Sequence, residues 1–115
     1  MAAFDFAGFR AALEARDAGR WLPYYADDAE WLEYRDASPP RSPHVMRGRE
    51  AIGAFLAEIA ASRIELAISN EVLGDERAAF TITVRRADGR RMIENVIVDH
   101  RDGRIVRQLE VEAWD

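Results

Sequence analysis

Four strand-length segments in the second half of this chain constrain its fold more than any other feature. Residues 64–73, 77–86, 91–101 and 104–114 are rich in Ile, Val, Leu and Thr, and turn strings separate them: Gly74-Asp75, Ala87-Asp88-Gly89 and Asp102-Gly103. Such short turns join neighbouring strands as hairpins, so the four segments predict an antiparallel meander. Ile64, Leu66, Ile68 and Val72 share one face of the first segment, and Phe80, Ile82 and Val84 share one face of the second. The third segment is apolar on both faces. On the last, Leu109, Val111 and Ala113 oppose Gln108, Glu110, Glu112 and Trp114.

The first half reads differently. Phe6, Phe9 and Leu13 recur at helical spacing and predict a helix over 5–16, with Asp5 able to cap it. A second short helix is expected over 17–26, interrupted by Pro23. Residues 29–36 alternate, with Trp31, Glu33 and Arg35 on one face, and predict a first strand. Three prolines in residues 37–48 predict an extended loop. Ile52, Phe55, Leu56 and Ile59 then line one face of a helix over 49–61. The expected order is α-α-β-α-β-β-β-β, an α+β domain spanning 1–115. Three N-terminal helices would close off a curved, cone-shaped antiparallel sheet and leave a ligand cavity at its mouth.

Composition excludes several classes of function. All sixteen basic residues are arginine, so no lysine amine is available for Schiff-base chemistry. There is no cysteine, which removes disulfides, thiol nucleophiles and thiolate metal sites. A net charge of −5 disfavours nucleic acid. No apolar run is long enough to span a bilayer. The first residues lack the pattern of a secretory leader, so a cytoplasmic protein is expected. His44 and His100 are too few and too separated to suggest a metal centre, and no metal or organic cofactor is expected.

Several strings, in order along nearly the whole chain, carry a resemblance: FRAALEARDAGRW, YADDAEW, GREAIGAFLAEI and VIVDHRDGRIV. They resemble the nuclear-transport-factor-2-like superfamily with its cystatin-like fold, and within it the ketosteroid isomerase-like and SnoaL-like proteins. That resemblance implies a carboxylate base a few residues beyond the Ala26-Asp27-Asp28-Ala29 string. Ungapped counting gives Glu33, with Asp36 as the alternative. It implies a protonated oxyanion-hole acid at Asp99. The family's tyrosine donor falls at Phe9, which cannot donate a hydrogen bond.

If Asp99 points inward, alternation puts Asn95 and Ile97 beside it. Trp31 and Arg35 would flank Glu33. Apolar-inward packing sends Glu110 to solvent, whereas the resemblance sends it to the pocket. Both readings of the last strand stay open. The resemblance thus implies proton transfer on an apolar carbonyl compound by Glu33 and Asp99. The alternative is a non-catalytic domain that binds a small apolar ligand or serves interaction, and a homodimer is expected under either.

Overall fold

The computed structural model describes residues 3–115; Met1 and Ala2, part of the segment read as lacking a leader, lie outside the described residues. Two α-helices, α1 (Phe6–Glu14) and α2 (Ala18–Trp21), open the fold, and a single 3-10 turn (Leu22–Tyr24) leads into β1 (Tyr25–Tyr34). After β2 (His44–Arg47) and α3 (Gly48–Ala61) come β3 (Ile64–Leu73), β4 (Arg77–Arg86), β5 (Arg91–Arg101) and β6 (Arg104–Trp114). The six strands make one curved, unclosed sheet in the order β2-β1-β6-β5-β4-β3. The α+β architecture is as expected. The helix over 17–26 shortens to one turn plus the 3-10 turn, because Pro23 cannot sit in a helix interior.

Two features depart from the expected meander. Residues 44–47, read as loop, form β2 and pair antiparallel with β1, placing His44 directly across from Glu33. Pro43 leaves the chain extended, and an extended segment beside an open sheet edge satisfies its backbone by joining it. In addition, β1 pairs with β6 in parallel, not antiparallel.

The curvature has local causes. Register shifts interrupt pairing between Tyr25 and Glu30, between Ser69 and Val72, and between Asp99 and His100. Each irregularity bends its strand and increases its twist. Asn70 lies inside the second of these with φ of 59°, held by its amide donating to Thr81 Oγ1 at 3.3 Å.

Helices cover the concave face. Asp5 caps α1 by accepting from Gly8 N at 2.9 Å. Phe9 is completely buried and meets the rings of Phe4, Phe6, Tyr24, Tyr25 and Phe80 at centroid distances of 5.5–6.4 Å. The helix α3 buries Ile52 and Leu56. Full burial of each such side chain stabilises by about 1.5–3 kcal/mol. Gly48 makes the corner from β2 into α3 with φ of +84°, a conformation open to glycine.

Candidate functional site

Beyond the aromatic core, the concave sheet face and the C-terminal half of α3 enclose a cavity of about 480 Å³. It opens where β1, β4 and β6 end and β3 and β5 begin. Trp31, Phe55 and Ile82 contribute to its largely apolar wall. Trp31 stacks on Tyr25 and meets Phe55 edge-on, at centroid distances of 5.7 and 5.3 Å. Its Nε1–H is buried and has no acceptor among the described residues.

Strand alternation sends carboxyls into this apolar space. Glu33 on β1 is in register with Glu110 on β6, and Glu112 on β6 is in register with Glu94 on β5. The four form a two-by-two block across three adjacent strands. One carboxyl oxygen from each lies within 4.8 Å of the others. Glu33 and Glu110 are 1% exposed and Glu94 8%, while Glu112 is half-buried. At an effective dielectric of 20, like charges at that separation repel by about 3 kcal/mol per pair. The block is therefore not fully ionised at neutral pH unless counter-charge enters it.

Protons supply one answer. Burial, and then the negative charges of Glu112 and Glu33, push Glu94 up to about 7, although Arg35 and a hydrogen bond with Glu110 oppose the rise. Glu110 is raised well above its ordinary value, first by burial and then by the Glu94 charge. Glu112 is also raised, by burial and then by Glu33. A relay fixes Glu110: the buried Tyr25 hydroxyl donates to Gln108 Oε1 at 2.6 Å, and Gln108 Nε2 donates to Glu110 Oε1 at 2.8 Å. Among the described residues, Glu110 Oε2 meets no N–H or hydroxyl donor. A Glu94 carboxyl oxygen lies within 4.8 Å of a Glu110 one, so a proton held between the two would join them. A hard divalent cation would be the other answer, since the four residues offer an all-oxygen donor set.

Glu33 has different company. His44 Nδ1 lies 3.3 Å from Glu33 Oε2 and the Arg35 guanidinium 4.0 Å from the same oxygen. The block thus sets two carboxyls raised by burial, Glu94 and Glu110, beside Glu33, whose nearest basic neighbours are His44 and Arg35.

The structure brings Trp31, Glu33, Arg35 and Glu110 together in the cavity wall. It places the others elsewhere. Asp99 lies on the opposite, outer face of β5, at 2.6 Å from the Arg77 guanidinium. Asn95 and Ile97 share that outer face, where Asn95 Oδ1 accepts from Thr81 Oγ1 at 3.2 Å and Ile97 is 41% exposed. The expectation of an inward Asp99 is corrected for a physical reason. Met92, Val96 and Val98 face inward and Ile93 and Ile97 outward, so β5 is apolar on both sides and its pattern cannot say which is inside. Phe9 belongs to the aromatic core and not to the cavity wall. Asp36 follows the end of β1, is exposed and does not line the cavity.

Sequence reasoning missed Glu94, Gln108 and His44. A charged residue inside the apolar run Met92–Val98 was the available signal for Glu94. On β6 the polar face turns inward, against the simplest packing rule, because the cavity and the Tyr25–Gln108 relay accommodate it.

No curated protein matches the chain. Among solved structures it is similar to a nuclear-transport-factor-2-like protein of unknown function from Mesorhizobium loti, with 17% identity and a TM-score of 0.82 over 94% of this chain and 87% of that one. It is also similar to a SnoaL-like protein of unknown function from Burkholderia thailandensis E264, with 24% identity and a TM-score of 0.66 over 95% and 89%. A computationally designed 17-OHP binder aligns at 20% identity and a TM-score of 0.71 over 96% and 90%. These likenesses establish the fold. The family model of the SnoaL-like domain matches residues 6–108, nearly the whole length, and the chain belongs to that family.

Proposed function

We propose that this protein is a proton-transfer enzyme acting on a small apolar carbonyl compound, with Glu33 as base and the Glu94–Glu110 pair as hydrogen-bond donor. The observation that carries this reading is the block of four converging carboxyls inside an apolar cavity, with Glu94 and Glu110 both pushed up by burial and the Arg35 guanidinium 4.0 Å from Glu33. The oxygen spacing suits an H–Cα–C=O unit, each end within about 2.6–3.2 Å of one carboxyl. Glu33 takes the α-proton, and the C–H electrons form the enolate. The proton shared by Glu94 and Glu110 is aimed at the oxygen where charge develops. Glu33 then returns its proton to the same carbon or to the γ-carbon of an unsaturated ketone. The donor role expected at Asp99 thereby passes to Glu110 and Glu94.

The test is exchange of α-protons into deuterated water, followed by NMR, for β,γ-unsaturated cyclic ketones of increasing size. Exchange above the buffer rate, lost in Glu33→Gln, is the expected result. Ketones that raise the melting temperature without any exchange would instead leave a binding domain. One observation favours that second reading: none of the three tyrosines lines the cavity, Tyr25 being committed to Gln108, Tyr24 to Asp5, and Tyr34 alternating away from Glu33 on β1. Similarity to the designed 17-OHP binder supports a small apolar ligand under either reading.

We also propose a homodimer formed through the outer sheet face. Ile93, Ile97 and Val111 are 41–52% exposed there, on neighbouring strands with no helix over them among the described residues. A sheet face this apolar is expected to be covered in solution.

A further inference from the structure

We infer that the ligand carries an anionic group, held outside the cavity by arginines at its mouth; this rests on reading the cavity as a ligand pocket. A second, open hollow of about 600 Å³ adjoins the first and shares Ser62, Arg63, Ile64 and Arg86 with it. Arg16, Arg63, Arg85 and Arg86 line the hollow against a single carboxylate, Glu65, which pairs in register with Arg85. Four arginines thus converge on one hollow of a chain whose net charge is −5. None of the four belongs to an ion pair among the described residues, whereas Arg10, Arg47, Arg49, Arg77, Arg90, Arg91 and Arg107 all do.

Two of these arginines are already positioned. Arg16 Nη1 donates to the Ser62 carbonyl at 2.6 Å, which ties α1 to the end of α3. The Arg86 guanidinium lies 4.3 Å over the Trp114 ring, itself part of the cavity wall. Side chains held in this way lose less freedom when they bind an anion. Guanidinium groups suit sulfonate, phosphate and carboxylate alike, through paired N–H donors. The apolar body of such a ligand would sit against Trp31 and Phe55, with its charge toward Arg63 and Arg86.

The opposite expectation is equally definite. Without an anion subsite, the carboxyl block and the net negative charge would make any anionic ligand bind more weakly than its neutral counterpart. Two fluorescent probes separate the cases: 8-anilinonaphthalene-1-sulfonate and the neutral N-phenyl-1-naphthylamine, which share an apolar skeleton. At low salt we expect the sulfonate to bind at least tenfold more tightly than the neutral probe. The advantage should vanish in the Arg63→Gln/Arg86→Gln double variant and at 0.5 M salt, where charges are screened within about 4 Å. It should persist in the Arg101→Gln/Arg104→Gln double variant, which removes the same two charges at the far end of the sheet. Equal or weaker binding of the sulfonate would overturn the subsite and leave the pocket standing. Loss of the advantage in Arg101→Gln/Arg104→Gln would also overturn it, by showing a mere net-charge effect. Binding of neither probe would overturn both the pocket and the subsite.

Discussion

Replacing Glu94 with glutamine should flatten the pH dependence of stability. In the folded protein Glu94 is raised from 4.5 to about 7, chiefly by burial. At 1.36 kcal/mol per pH unit, that makes the protonated native form favoured by about 3 kcal/mol. The folded value lies above the unfolded one. This stability is therefore fully present below about 4.5 and is lost as pH rises through about 7. Glutamine keeps the shape and supplies a permanent N–H donor to Glu110. Urea denaturation of both proteins at intervals from pH 5 to 8 measures the effect. The wild type should lose most of the 3 kcal/mol across that range, and Glu94→Gln should lose much less. At pH 8 the variant should be the more stable protein. For a chain of this size, 3 kcal/mol corresponds to roughly 12 °C in melting temperature. The two proteins differ at residue 94 alone, so the difference between the profiles isolates the carboxyl block. Parallel profiles would refute the reasoning, because Glu94 and Glu110 would then hold no extra proton in the native state.

Tyr25→Phe removes the hydroxyl that donates to Gln108 and leaves a buried amide oxygen unpartnered; a loss of about 1–3 kcal/mol is expected by urea titration. Asp99→Asn changes only the outer face, so α-proton exchange should proceed at the wild-type rate, and a hundredfold loss would return Asp99 to the site. Ile97→Glu places a charge in the middle of the exposed apolar face and should convert a dimer to a monomer by light scattering, with the cavity and probe binding intact.

Much of this molecule is legible in its sequence, and the gaps have identifiable causes. The bounds of β3 to β6 follow from turn dipeptides, because few residues other than glycine and aspartate start those hairpins. Alternation correctly groups Trp31 with Glu33 and Arg35, and Asn95 with Ile97 and Asp99. What alternation lacks is direction. Strand β1 has one plausible inner face, anchored by Trp31, and its residues reach the cavity. Strand β5 has two, and the choice between them depends on how β4 and β6 twist around it. Proline content concealed β2, since a donor missing at Pro43 says nothing about the next four residues. The pairing of Glu33 with Glu110 was out of reach for a different reason. It depends on a parallel register between strands at opposite ends of the sequence, and no local signal encodes it.

That same pairing has a consequence for how the protein comes into being. β6 is in the middle of the sheet, between β1 and β5, yet it leaves the ribosome after every other strand described here. Until it does, β1 with β2 and the β3–β5 meander are two separate fragments with raw edges, and the aromatic core between them has no floor. Local hairpins form early, but their union waits on contacts that span most of the chain, a topology that folds slowly. Gln108 and Glu110 arrive on that closing strand. Assembly of the sheet and assembly of the carboxyl block are therefore a single event, and a nascent chain stalled before β6 carries neither.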